Sequence, residues 1–282
     1  MAWGSEGAEV FVPDGTAVAA ALARTTHLGV GAHPDDLEIL AVEGILACFR
    51  RAERWFTGVV LTAGRGSPRA GLYADYTDAQ MRAVRRREQK KAAAVGEYGA
   101  QVLLDYSSAV VKDSERSAPT VDLAALFEAT RPEVVYTHNL ADKHETHVAT
   151  ALRVVAALRR LPEAMRPARL YGCEVWRSLD WLPDAEKVAF DVSMQTNLQS
   201  ALLGVFDSQV AGGKRYDLAT MGRRRAHATY DASHETDVAT HVVYAMDLTP
   251  LIVDPALDVQ GYVVGFIERL AQDVAARMGR YR

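Results

Sequence analysis

The chain has 282 residues, 49% of them apolar and 24% charged, and a formal net charge of −4. That is enough apolar material for a sizeable core, and the negative balance excludes a global basic footprint for nucleic acid or an anionic membrane. No stretch approaches the ~18 apolar residues of a membrane span.

The amino-terminal segment lacks a basic leader, and residues 17–22 are too short and alanine-rich for a secretory h-region. Cys48 and Cys173 stand far apart and read as two buried thiols, which suits a reducing cytoplasm. Residues 1–15 read as a loosely held lead-in and 16–24 as a short helix. A first strand is expected at 27–31, ending in the polar turn Ala32-His33-Pro34-Asp35-Asp36, and a helix at 36–54. The run Trp55 to Thr62 is almost continuously apolar, as expected of a strand buried on both faces. Residues 63–77 form a long loop, a length that is usually functional or mobile. Thr77 caps a helix over 78–98, whose cluster Arg82, Arg85, Arg86, Arg87, Lys90 and Lys91 reads as a solvated face.

A third strand is expected at 101–106, a helix at 121–130 stopped by Pro132, and a fourth strand at 133–137. A helix then runs to about Arg160 and a fifth strand covers 170–176. This alternation argues for an α/β fold: a mostly parallel sheet flanked by helices, with right-handed crossovers. Beyond Leu179 the pattern is less regular. Residues 191–210 look helical, 242–248 form an added strand and 261–278 a closing helix. With no linker-like tract, residues 1–282 read as one domain, with a core at about 25–180 and an irregular C-terminal extension at about 181–282. That extension leaves room for a homo-oligomer interface or a lid.

A lone histidine is more often structural than a ligand. Position changes that weighting. His33, Asp35 and Asp36 follow the first strand, and His138, Asp142, His144 and His147 follow the fourth. In a sheet of order 3-2-1-4-5 these strands are neighbours at the switch point, so both clusters face one crevice. His33, Asp36 and His147 make a His₂Asp set of the kind that holds Zn²⁺ with an open fourth position; Fe²⁺ suits the same ligands. Such a metal acidifies a water and polarises a carbonyl. Asp35 is placed to move the proton, and a protonated His144 to stabilise an oxyanion. The set suits amide hydrolysis. In the loop Gly64-Arg65-Gly66-Ser67-Pro68-Arg69, Arg65 and Ser67 are candidate substrate contacts, as are Asn139 and Asp142; a plain surface turn is the competing reading of the loop.

The motif Ala32-His33-Pro34-Asp35-Asp36, with His144-x-x-His147 later, resembles the LmbE-like or PIG-L family of zinc-dependent N-acetylglucosamine-type deacetylases over roughly residues 27–180. The resemblance implies a Rossmann-like fold without a dinucleotide. It implies zinc on His33, Asp36 and His147, with Asp35 as general base and His144 as electrostatic partner. It also implies a small-molecule substrate, an N-acetyl sugar conjugate or related amide. The chain departs from the family pattern in three places. Glu38 stands one residue beyond the usual glutamate, Glu145-Thr146 replaces Pro-Asp between the histidines, and Phe206-Asp207-Ser208-Gln209 lacks a histidine. Asp142 or Glu145 is the expected substitute for the missing aspartate.

Other readings fare worse. Gly29-x-Gly31 opens a dinucleotide fingerprint, but its sixth position is Pro34 and two acids follow. No G-x-S-x-G elbow is present. A non-catalytic sugar-binding or scaffold protein is the remaining alternative, and metal content separates it from an enzyme. A second ligand set, His234, Asp237 and His241, is conceivable by spacing but disfavoured.

Overall fold

The strands that the apolar runs dictate are β1 (Glu9–Phe11), β2 (His27–Gly31), β3 (Phe56–Thr62), β4 (Ala100–Tyr106), β5 (Val134–His138), β6 (Arg169–Cys173), β7 (Lys187–Asp191) and β8 (Val242–Asp247). In the computed structural model, which describes residues 3–281, they form one sheet of order β1-β4-β3-β2-β5-β6-β8-β7. The central five strands are parallel, in the order expected from the sequence. The edge pairings β1–β4, β6–β8 and β7–β8 are antiparallel.

The helices are α1 (Val18–Ala23), α2 (Asp36–Leu40), α3 (Val42–Cys48), α4 (Asp78–Val95), α5 (Ser108–Lys112), α6 (Ala118–Thr130), α7 (Glu145–Arg159), α8 (Thr196–Gly204), α9 (Asp207–Val210), α10 (Tyr216–Tyr230), α11 (Pro250–Val253) and α12 (Val259–Gly279). They cover both faces of the sheet. On one side Ala21, Leu123, Phe127 and Val154 pack on Leu28, Val30, Val59 and Val102. On the other Ile45, Ala92, Tyr98 and Leu202 pack on Phe56, Tyr136 and Ala245. Every residue of β2, β3 and β4 is therefore buried, which is why these strands are apolar at nearly every position rather than alternating.

Four expectations change. The lead-in, of which residues 1–2 lie outside the described residues, contains β1, an edge strand on β4. Glu9 on that strand pairs with Arg86 at 2.5 Å and with Lys90, while Arg82 grips the buried Asp105 at 2.8 Å. Much of the basic face of α4 is thus an ion-pair seam rather than a solvated surface, and Arg85 is 2% exposed. The expected 36–54 helix breaks at Ala41, which takes φ −108° and ψ 20°. In the extension, β7, α8 and α9 replace one helix over 191–210, and the amphipathic α10 was not anticipated. The edge strand β7 is short and half-polar, so it carries little periodic signal.

Both cysteines are free and buried, and burial pushes the Cys48 thiol up to about 12. A raised thiol pKa means that the nucleophilic thiolate is scarce at neutral pH. We expect neither cysteine to react with a disulfide reagent at pH 8 in the native protein, and both to react once urea unfolds it.

Candidate active site

The site forms where β2 and β5 end side by side. The turn after β2 has no room for a second layer: a Cβ at Gly31 would lie 3.0 Å from that of Asp36. Asp35 sits at φ 88°, a left-handed conformation that costs a non-glycine residue about 1–2 kcal/mol. Polar partners hold it there. Its N–H donates to Gln89 Oε1 at 3.1 Å, and Arg85 donates to Asp35 Oδ2 at 3.0 Å and to the Pro34 carbonyl. The same Gln89 amide donates to Glu38, which also accepts from the Tyr98 hydroxyl. One buried polar lattice therefore ties α4 to the turn.

His33, Asp36 and His147 come together. His33 Nδ1 lies 3.2 Å from His147 Nε2 and 3.3 Å from Asp36 Oδ2, and His147 Nε2 lies 3.5 Å from the same oxygen. Atoms bound ~2.0 Å from one tetrahedral ion stand about 3.3 Å apart. The three edges therefore fit a divalent cation. Burial pushes His147 down to about 4, with Asp36 opposing, so its imidazole is neutral and has a lone pair to give. Burial alone would raise Asp36, but the histidines around it hold it well below the usual carboxylate range. Behind His147, Asp142 Oδ2 stands 3.5 Å from Nδ1, the position of the outer carboxylate that orients a ligating imidazole.

Asp35 lines the same cavity, and burial raises its carboxyl to about 6 against the pull of Arg85. His144 stacks on His147 at 4.4 Å between centroids and lines the cavity. Burial, and then His33, push its imidazole below its ordinary value. Glu145 turns away to pair with Lys112 at 3.0 Å, which leaves Asp142 as the carboxylate beside the two histidines.

The substrate candidates divide. Arg65 and Ser67 line the cavity, of about 530 Å³, although the Ser67 hydroxyl donates to the Gly64 carbonyl at 2.8 Å. Gly64 takes φ +64° and approaches the Arg85 side chain, so the loop is shaped by a glycine at that point. Asn139 does not meet the cavity. It is fully buried, and its amide donates to the Cys173 carbonyl and accepts from Ala141 N–H. Asp142 is likewise enclosed: it accepts from His144 N–H at 3.0 Å and from the backbone N–H of Trp176 at 3.1 Å. Both hold the loop rather than a ligand. The set His234, Asp237 and His241 does not assemble. Asp237 accepts from Thr229, and His241 faces Arg225.

From the sequence, His138 is named only as following the fourth strand and Arg85 only as part of a solvated face, and Glu88 is not named. His138, at the end of β5, is fully buried, and its Nε2 accepts from Ala32 N–H at 2.9 Å. It lies near Asp36 and His147, but that lone pair is already used. Arg85 lines the cavity, and next to it the buried Ser208 donates to Glu88 from both its N–H and its hydroxyl at 2.7 Å. That contact gives Asp207-Ser208-Gln209 its place: it docks the extension onto α4.

Known proteins share both the motif segment and the fold. The model of the PIG-L family, GlcNAc-PI de-N-acetylases, matches residues 28–158. Those residues form a PIG-L domain. No curated protein matches the chain. A conserved protein, TT1542, from Thermus thermophilus superposes with TM-score 0.60 at 21% identity, over 83% of this chain and 100% of that one. The N,N'-diacetylchitobiose deacetylase of Pyrococcus horikoshii gives 0.63 at 14%, over 84% and 88%. The 4-carboxy-2-hydroxymuconate hydratase GalB of Pseudomonas putida KT2440 gives 0.61 at 18%, over 79% and 96%. This fold thus carries a hydratase as well as a deacetylase, and the activity has to be argued from the site.

The PIG-L match stops at residue 158, yet α2 is held from beyond it. The buried Arg224 of α10 donates to the Glu38 carbonyl at 2.8 Å and to Gln199 at 2.9 Å. Removing it strands buried acceptors. Arg224→Ala should lower unfolding stability by about 2–4 kcal/mol in urea titration.

Proposed function

We propose that this protein is a metal-dependent amidohydrolase that removes an N-acetyl or related N-acyl group from a polar, sugar-bearing substrate. The observation that carries this reading is the triangle of His33, Asp36 and His147, with edges of 3.2 to 3.5 Å, beside a buried carboxylate that is not part of it. The family match and the deacetylase among the structural neighbours support it.

His33, Asp36 and His147 would hold the cation, with Zn²⁺ the first choice and Fe²⁺ suited to the same donors. Such an ion, when bound, acidifies a water and polarises an acyl oxygen. The chain's own residues do the rest. Asp35 lines the cavity and would accept a proton from the attacking water and return it to the departing amine. Arg85 holds one carboxylate oxygen and leaves the other free for that exchange. His144, also in the cavity wall, would donate a ring N–H to the acyl oxygen and stabilise the charge that collects there. Arg65, which lines the cavity from the loop after β3, is the residue that would contact the leaving sugar. The described residues contain no helix long and apolar enough to cross a membrane. The two unpaired buried thiols fit a cytoplasmic setting.

The test is acetate release from a panel of N-acetylglucosamine conjugates, with and without chelator, alongside elemental analysis of the purified protein. One equivalent of metal and chelator-sensitive release are expected. Asp35→Asn should keep the metal and lose about 10²–10⁴-fold in kcat. His147→Ala should lose the metal itself. Protein that neither carries nor takes up a divalent ion would overturn the reading, as would Asp35→Asn at full rate.

A further inference from the structure

The long loop after β3 forms one wall of the cavity, through residues 64–68, yet it adds nothing to the core. From Arg65 to Gln80 no residue is buried, and Leu72, near the middle of the loop, is 83% exposed. Only the two ends are firmly seated. Gly64 packs on the Arg85 side chain, and Thr77 forms a capping box with Gln80 at the start of α4. A segment with so little buried surface belongs to the low-stability end of a fold, where local opening is easy.

The middle of the loop is held by the C-terminal extension. The Tyr73 hydroxyl donates to Asp207 Oδ2 at 2.6 Å, within the range of a short, charge-assisted bond. Among the described residues it is the only hydrogen bond that joins residues 64–77 to residues 205–216. Beside it the two backbones come close. A Cβ at Gly71 would lie 3.4 Å from the Ala211 carbonyl oxygen, and a Cβ at Gly213 would lie 3.7 Å from that of Ala70. The receiving side is firmly held: Ser208 donates twice to Glu88 at 2.7 Å, and the Lys214 N–H donates to the Gln209 carbonyl at 2.8 Å. From that side Gln209, Lys214 and Tyr216 line the same cavity. Two walls of one cavity therefore meet along a seam fastened by a single side chain. One wall is rigid, and the other is tied to the body only at its ends.

We propose that residues 64–76 are a strap latched to α9 by Tyr73 and Asp207, and that the latch must release for substrate to enter the cavity and product to leave. Opening exposes almost no apolar surface, because the strap buries almost none. The gating role rests on the deacylase reading; the latch itself does not.

The experiment uses the metal-loaded full chain and two variants. In Tyr73→Phe, hydrogen exchange followed by mass spectrometry should show the amides of residues 67–76 exchanging about tenfold faster or more, with the sheet and α4 unchanged. The pair Ala70→Cys/Gly213→Cys brings two Cβ atoms within the ~3.5–4.5 Å of a disulfide, while Cys48 and Cys173 are buried away from it. Once that bridge is oxidised and confirmed by mass, acetate release from the best N-acetylglucosamine conjugate of the panel should fall at least about tenfold in kcat/KM and recover with a thiol reductant. Unchanged exchange in Tyr73→Phe would overturn the latch, and full turnover by the bridged protein would overturn the gate. If no conjugate releases acetate from any form, the deacylase reading fails, and the exchange result alone upholds or overturns the latch.

Discussion

The structure depends on three polar atoms being forced within 3.5 Å of one another in a place with little water. Two imidazoles and a carboxylate do not gather so closely without a reason, because each loses hydration and gains only partial compensation from the others. The fold creates that crowding by setting β2 and β5 side by side and ending both at the same edge. His33 and Asp36 come from one turn, and His147 from the first turn of the helix after the other strand. Much of the surrounding architecture resists the local cost. Gln89 and Arg85 secure the left-handed Asp35, His138 anchors the Ala32 amide, and Asp142 closes the loop that precedes His144.

The parts of this arrangement legible in the sequence are those whose signal is local. Apolar runs such as 56–62 are long and unbroken, so they specify buried strands, and their alternation with helical periods specifies a parallel centre. The site residues His33, Asp35, Asp36 and His147 stand immediately after such strands or at a helix start, so their convergence follows from topology alone. What stayed hidden depends on partners far away in the chain. Arg85 looks like one of several arginines on a helix, and only the packed structure shows that it is buried against Asp35. Glu9 looks like part of a loose tail until the sheet edge brings Arg86 to it. Asn139 misled for the same reason: an amide after a strand serves a ligand or a backbone equally well, and here the Cys173 carbonyl claims it.

The less regular extension has a role that its composition does not announce. Arg224 supports the carbonyls at the end of α2, and Ser208 clasps Glu88 beside Arg85. Both contacts bear on residues close to the candidate site, although they come from beyond the segment that matches the PIG-L model. The candidate site's clustered histidines and carboxylates and part of their mechanical support therefore belong to different stretches of the polypeptide, joined by a handful of buried polar contacts.

That partition bears on how such a scaffold diversifies. Gln209, Lys214 and Tyr216 line the cavity from the extension, while His33, Asp35 and Asp36 line it from the other segment. Changes at these three positions of the later segment would alter the cavity wall without replacing His33, Asp35 or Asp36. A chimaera retaining Ser208 and Arg224 while exchanging residues 211–215, the turn between α9 and α10, is a natural starting point for redirecting selectivity.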